Sequence, residues 1–442
     1  MSAAIIDPTT TQAPLIVEHK VVDRRSIKVP IILTVIVAVL ALVLLLMPRS
    51  GDATFRLASE GDYISIPDVY VNGMLVAWIC LVAAASILPL AWYRAAHYKK
   101  TWPWAIALFT LFALVSFLGW AGAGAHGFWN TSDLIATAVV TAVPLVFGSL
   151  GGVIGERSGV VNIAIEAQLL MAAFTGTVAA SMTNNAWVGL FVAMFGGLLI
   201  SLLLGLLAIK FKVDQIIVGV VLNVLVLGLT TFLWRQLLQS RGGRPPVLPN
   251  SVLGIQFGPI GIPGLNRIPI IGPALFNQNI IVYIMFIAVA AVWFALYRTR
   301  WGLRTRAVGE HPKAADTVGI KVQRTRWIAI LLAGAIVGIG GASYTMMVGR
   351  AFGFDQDMTA GWGFIALAAV IFGNWNPVRA AFAGLLFGFT INLRFAMQAL
   401  GGPQIPEQFL MMLPYVVTIL AVAGFIGRSN APAAVGQAYS VE

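Results

Sequence analysis

Pro30-Ile-Ile-Leu-Thr-Val-Ile-Val-Ala-Val-Leu-Ala-Leu-Val-Leu-Leu-Leu-Met-Pro48 runs without a single charge. A membrane-spanning helix needs about 20 such residues. The rest of the chain reads the same way. Of its 442 residues, 59% are hydrophobic and 10% charged, whereas soluble domains carry roughly 25% charged residues. So few charges cannot build a water-soluble surface. In lipid, only helices and closed barrels satisfy the backbone, and barrel strands would alternate over about ten residues. Long unbroken apolar runs therefore predict an all-α, polytopic membrane bundle.

The same criterion picks out twelve spans, near 30–48, 71–93, 103–124, 134–154, 163–183, 187–209, 216–237, 279–298, 327–347, 361–373, 378–399 and 409–427. The tenth is short enough to be a half-helix or a re-entrant segment. Orientation follows from Lys and Arg, which collect on cytoplasmic loops. Lys20, Arg24, Arg25 and Lys28 precede the first span, and Arg94, Lys99 and Lys100 follow the second. Eight basic residues crowd the loop at 298–326. Twelve spans place all three regions, and both termini, in the cytoplasm. The loop at 49–70, with Asp52, Glu60, Asp62 and Asp68, falls outside. Arg241 and Arg244 in the long loop 238–278 dissent from the rule.

This distribution accounts for the net charge of +11 without nucleic acid. Cys80 is the single cysteine, which excludes an intrachain disulfide and a cysteine-cluster metal site. His19, His97, His126 and His311 are scattered, so no metal and no catalytic constellation is expected. No GxxxxGK[ST] occurs, so the chain holds no ATP by a P-loop. The organisation reads as a cytosolic tail at 1–29, three spans nearly free of polar residues at 30–130, a transport core at 131–428 and a cytosolic tail at 429–442. Two glycine-bearing breaks, Gly159…Glu166 and Gly353…Phe364, suggest inverted halves with a site near the midplane.

Polar residues inside the core are the candidate site. Asn162 and Glu166 stand four apart, which predicts a shared helix face; Gln168 follows. Asn223, Trp362, Phe364, Asn392 and Gln398 are further candidates, and helix–helix hydrogen bonding is the competing reading for the amides. Arg394 lies inside a span, where it would snorkel, pair with Glu166 or face a cavity. Gly155-Glu156-Arg157-Ser158-Gly159 puts two charges beside a span, at the rim or in a protein interior. Its glycines permit a sharp turn or a broken helix, so a gating role and a plain turn both fit. In the 298–326 loop, Glu310 to Val318 can form a short helix, with Pro312 in its first turn and Gly319 at its end.

Three segments carry a resemblance. Gly151-Gly-Val-Ile-Gly-Glu-Arg-Ser-Gly-Val-Val-Asn-Ile-Ala-Ile-Glu-Ala-Gln168 resembles the signature of ABC permeases for nucleosides, relatives of the simple-sugar and branched-chain amino-acid permeases. Trp301 to Ile320 is similar to that family's cytoplasmic coupling segment, and Gly361 to Asn374 followed by Asn376-Pro377 is a third match. Ala164 and Ala167 depart from the pattern, which usually has glycine there. The resemblance spans residues 133–427 and has no counterpart for the first three spans.

It implies a permease subunit of an ATP-driven importer in a bacterial inner membrane, working by alternating access. The chain itself would bind no cofactor. ATP would be used by a partner ATPase with two nucleotide-binding domains. A second homologous permease chain and a lipid-anchored substrate-binding protein outside would complete the system. Gly309, Glu310, Pro312, Ala315, Asp316 and Gly319, within a coupling segment at 299–326, would meet the ATPase. Amides, a carboxylate and aromatic rings would suit a nucleoside's ribose hydroxyls and base. A sugar or branched-chain amino-acid permease and an ion-coupled secondary transporter are the rival readings.

Overall fold

A computed structural model describes residues 27–58, 62–99, 101–240, 246–347, 349–400, 412 and 431–440. It opens with α1 (Lys28–Leu46), β1 (Asp52–Arg56), β2 (Val69–Asn72), α2 (Gly73–Ala85), α3 (Leu88–Ala96) and α4 (Pro103–Gly122). α2 and α3 together form one apolar stretch, Gly73–Ala96, interrupted where Pro89 enters the first turn of α3. β3 (Trp129–Asn130) leads into α5 (Thr131–Arg157). After a break come α6 (Ile165–Thr183), α7 (Ala186–Gly205) with a π-helical turn Leu206–Lys210, and α8 (Gln215–Leu233) with a second, Trp234–Leu238. β4 (Pro259–Gly261), a π turn Gly272–Phe276 and β5 (Asn277–Asn279) lie in the long loop before α9 (Ile280–Arg298). The chain continues through α10 (Arg300–Glu310), α11 (Pro312–Thr317), α12 (Val322–Met346), α13 (Trp362–Phe372) and α14 (Pro377–Ala399).

Helix starts follow the local chemistry. Asp214 accepts from the backbone N–H groups of Ile216 and Ile217, and Asn376 from those of Val378 and Arg379. Such caps satisfy donors that a helix leaves open. Ten helical stretches among the described residues are long and apolar enough to cross a membrane, and they coincide with ten of the twelve expected spans. The tenth expected span is α13, a half-helix of 11 residues, about 16 Å long against a ~30 Å hydrocarbon core. The expected span at 409–427 lies outside the described residues, as do Arg241 and Arg244.

Burial sorts the helices into a centre and a rim. Across an 18-residue apolar stretch of each helix, 78% of the residues are buried in α5, 72% in α6, 67% in α12 and 61% in α14, against 22% in α1 and 28% in α9. α7 and α12 approach closely because Gly197 meets the Gly334 carbonyl and the backbone of Gly338. Small residues let backbones touch where lipid offers no hydrophobic drive to association. The first three spans join this centre at one edge. β1 pairs antiparallel with β2 and parallel with β3. Trp120 and Trp129 pack there with Leu134, Leu393 and Leu400.

One expectation about local structure is corrected. Asn162 does not share a helix face with Glu166, because residues 158–164 form the break between α5 and α6 and the helix resumes at Ile165. The loop at 298–326 is also more helical than expected. α10 precedes the short helix, which runs Pro312–Thr317 and ends before Gly319 at φ +83°.

Candidate functional site

α13 organises the site, with a different arrangement at each end. At its N-terminus Gly361 adopts φ +78°, and the backbone N–H groups of Gly361 and Gly363 donate to the Glu166 carboxylate at 2.9 and 2.6 Å. The Thr359 hydroxyl donates to it as well. A carboxylate at a helix N-terminus balances the positive end of the dipole. Glu166 thus fastens the second break to the first. A Cβ on Gly363 would stand 2.5 Å from the Glu166 backbone, so the contact requires glycine.

The amides of the first break form a closed set. Asn162, fully buried, exchanges hydrogen bonds with Gln168 at 3.1 and 3.3 Å, and Gln168 donates to Ser201 at 2.8 Å. Asn223 accepts from the Ala167 N–H at 2.9 Å and donates to the Ile163 carbonyl at 3.0 Å. It satisfies backbone groups that the break leaves without helical partners.

At the other end of α13, Asn374 and Trp375 both take positive φ, 51° and 53°. The Glu156 carboxylate accepts from the Trp375 indole N–H. Arg157 Nε donates to the Trp375 carbonyl at 3.0 Å and Nη2 to that of Asn374 at 3.5 Å. Arg157 Nη1 also lies 3.8 Å from Glu310 at the end of α10. Gly309 packs directly on the Arg157 carbonyl, where any Cβ would collide. Pro312, Ala315 and Gly319 shape the short helix itself, and Ala315 is buried.

Residues 431–440 lie across this same surface. The N–H groups of Ala433 and Ala434 donate to the Glu310 carboxylate at 3.1 Å and the Gly309 carbonyl at 2.9 Å. The Gly436 N–H reaches the Gly159 carbonyl at 3.3 Å. Tyr439 donates to Asp316 at 2.8 Å, and Arg326 Nη1 to the Gln437 carbonyl at 2.8 Å.

A cavity of about 530 Å³ opens at the opposite ends of α5, α12 and α14. Thr141, Tyr344, Arg350, Asp355, Trp362 and Asn392 are on its wall. A second cavity of about 310 Å³ shares Thr137, Asn392 and Phe395 with it and reaches Trp129 and Asn130, where the N-terminal sheet ends. Burial lowers the Arg350 guanidinium from its ordinary pKa.

Of the residues singled out in the sequence, Trp362 and Asn392 line the cavity, and Asn392 also donates to the Leu134 carbonyl at 2.9 Å. Glu166 meets the start of α13 just behind Trp362. Asn162 and Asn223 sit in the helix contacts beneath. Phe364 and Gln398 are exposed, and neither is on the wall of either cavity. The Arg394 guanidinium lies 5.3 Å from the Phe395 ring. Sequence reasoning missed Tyr344, Arg350 and Trp375. The available signal for Arg350 was its position just past the end of α12, a charge next to an apolar span.

A family model described as branched-chain amino acid transport system / permease component matches residues 134–422. The guanosine ABC transporter permease protein NupQ of Bacillus subtilis is 39% identical over 316 residues, 70% of this chain and 96% of that protein. The nucleoside ABC transporter permease protein NupC of Lactococcus lactis is 38% identical over 319 residues, 70% of this chain and 98% of that protein. No solved structure matches.

Proposed function

Since the chain belongs to the branched-chain amino acid transport system permease family of ABC transporters, we propose that it carries nucleosides into a bacterial cell as the multi-pass subunit of an ATP-driven importer. The observation that carries this reading is the pair of relatives above, named for guanosine and nucleoside transport and matched along almost their whole lengths. The chemistry of the cavity agrees. Aromatic faces from Tyr344 and Trp362 suit a base, and Thr141, Asp355 and Asn392 suit ribose hydroxyls.

The mechanism runs along α13. A separate ATPase with two nucleotide-binding domains closes on ATP and pushes α11. Glu310 passes the displacement to Arg157 and so to the Trp375 turn. α13 is too short to flex and moves as a unit, which shifts Trp362 at the cavity wall and Gly361 and Gly363 against Glu166. A second permease chain supplies the other half of the path. A lipid-anchored binding protein delivers substrate to the cavity face. That face is outside, and the coupling segment and both termini are in the cytoplasm of an inner-membrane protein.

Proteoliposomes holding the complete transporter should accumulate radiolabelled inosine or guanosine only with internal ATP and the binding protein. Accumulation of glucose or leucine without any nucleoside would replace this reading. A cysteine at position 313 should react with a membrane-impermeant maleimide in inverted vesicles and stay unlabelled in intact cells; the reverse pattern would overturn the orientation.

A further inference from the structure

Arg350 stands beside two rings that also touch each other. Its guanidinium carbon lies 5.5 Å from the Tyr344 ring centroid and 5.5 Å from that of Trp362, whose own centroids are 5.7 Å apart. Arg350 Nη2 and the Tyr344 hydroxyl are both shut away from solvent, and neither finds a hydrogen-bond partner among the described residues. Tyr344 is 5% exposed. Buried polar groups are seldom left unpaired in folded proteins. Two such groups on the wall of one cavity mark the place where a ligand completes the bonding.

The donor set defines that ligand. A guanidinium offers N–H donors in a planar fork and no acceptor. Its best match is an edge carrying two acceptors side by side. A 6-oxopurine presents O6 and N7 in that arrangement, whereas a 6-aminopurine presents N7 beside an N–H₂ donor, which faces the fork donor to donor. The Trp362 ring supplies a flat surface for stacking of either base. The Tyr344 hydroxyl, a donor and an acceptor, can serve the neighbouring edge.

We propose that Arg350 and Tyr344 select the base, so that the cavity prefers 6-oxopurine nucleosides over adenosine. This inference rests on the nucleoside reading above. Trp362 stacks the base without choosing among bases, and Asn392 and Asp355 hold the sugar.

The test is uptake of labelled inosine and adenosine by the complete transporter in proteoliposomes, wild type against Arg350→Gln and Tyr344→Phe, with the same binding protein throughout. A change in the inosine-to-adenosine ratio then belongs to the permease. Arg350→Gln should lower inosine uptake about 10-fold and leave adenosine uptake unchanged or raised, because a carboxamide offers both a donor and an acceptor to adenine. Tyr344→Phe should lower the ratio roughly 3-fold. A merely structural role for Arg350 would lower both nucleosides in proportion, and an unchanged ratio in both variants overturns the inference while leaving nucleoside import intact. If Arg350→Gln fails to assemble, Tyr344→Phe decides by the same ratio, since it removes a single oxygen and keeps the ring. A wild type that transports leucine or glucose and no nucleoside defeats the functional reading itself.

Discussion

The turn at Asn374–Trp375 and the cavity wall at Tyr344–Arg350 flank the two ends of α13, and they treat their polar groups in opposite ways. At the turn, the Glu156 carboxylate and the Arg157 guanidinium bond the Trp375 indole N–H and the Trp375 carbonyl. At the cavity, Arg350 Nη2 and the Tyr344 hydroxyl have no partner among the described residues. A satisfied buried network is rigid, because opening it leaves charged groups unpaired in a low dielectric. That suits the proposed role of this turn as a joint that transmits a displacement without yielding. An unsatisfied wall suits a surface whose partner arrives and leaves.

The comparison can be broken most severely at the N-terminal end of α13, just behind the cavity wall. Glu166→Ala removes three hydrogen bonds from the start of α13. Hydrogen bonds to charged groups are worth about 1.5–3 kcal/mol each, so uptake should fall roughly 100-fold and thermal stability of the complex should drop. Glu166→Gln keeps acceptor capacity and should fall between this variant and wild type. Wild-type uptake by Glu166→Ala would show that the two breaks need no fastening.

Loosening the rigid end should uncouple rather than unfold. Trp375→Phe deletes the indole donor to Glu156 and keeps the ring packed. The expected outcome is an uptake loss of about 10-fold, with ATP hydrolysis persisting but no longer stimulated by substrate, since the variant leaves a buried carboxylate underbonded. Equal loss of uptake and basal hydrolysis would count against α13 as the transmitting element. Glu310→Lys with Asp316→Lys should give a smaller loss, about 3- to 10-fold, because both residues are partly exposed and the variant breaks one 3.8 Å ion pair and one tyrosine hydrogen bond, contacts worth only ~0–1 and about 0.5–1.5 kcal/mol. Insertion and chain level should be unchanged, and unaltered coupling in that double variant would remove α11 from the pathway.

The smallest effect is expected at the strap formed by residues 431–440. Tyr439→Phe removes one hydrogen bond to Asp316, worth about 0.5–1.5 kcal/mol. Uptake should stay within about 2-fold of wild type, while hydrogen exchange at α11 rises. A larger loss than at Trp375 would make the strap, rather than the α13 turn, the stiffer contact.

The site was legible in unequal parts. Glu166, Glu156 and Arg157 could be marked from sequence, because charges next to apolar spans must be either enclosed or at a rim. Their partners could not. Glu156 bonds Trp375, 219 residues away, and Glu166 bonds Gly363, 197 residues away. Reading Asn162 and Glu166 as one helix face failed because the helix begins only at Ile165, after a break stabilised by the side chain of Asn223 from another span.

The amino-acid sequence by itself determined the spans. Hydrophobic length is a local property, and lipid imposes it with little regard to neighbours. It also determined the short helix α11, since Pro312 can start a helix and Gly319 can end one through backbone geometry alone. Only the tertiary structure decided which polar residues face a cavity and which bind helix to helix. In a low-dielectric interior a polar group takes whichever partner stands within about 3 Å, and that choice is made by helices distant in the chain.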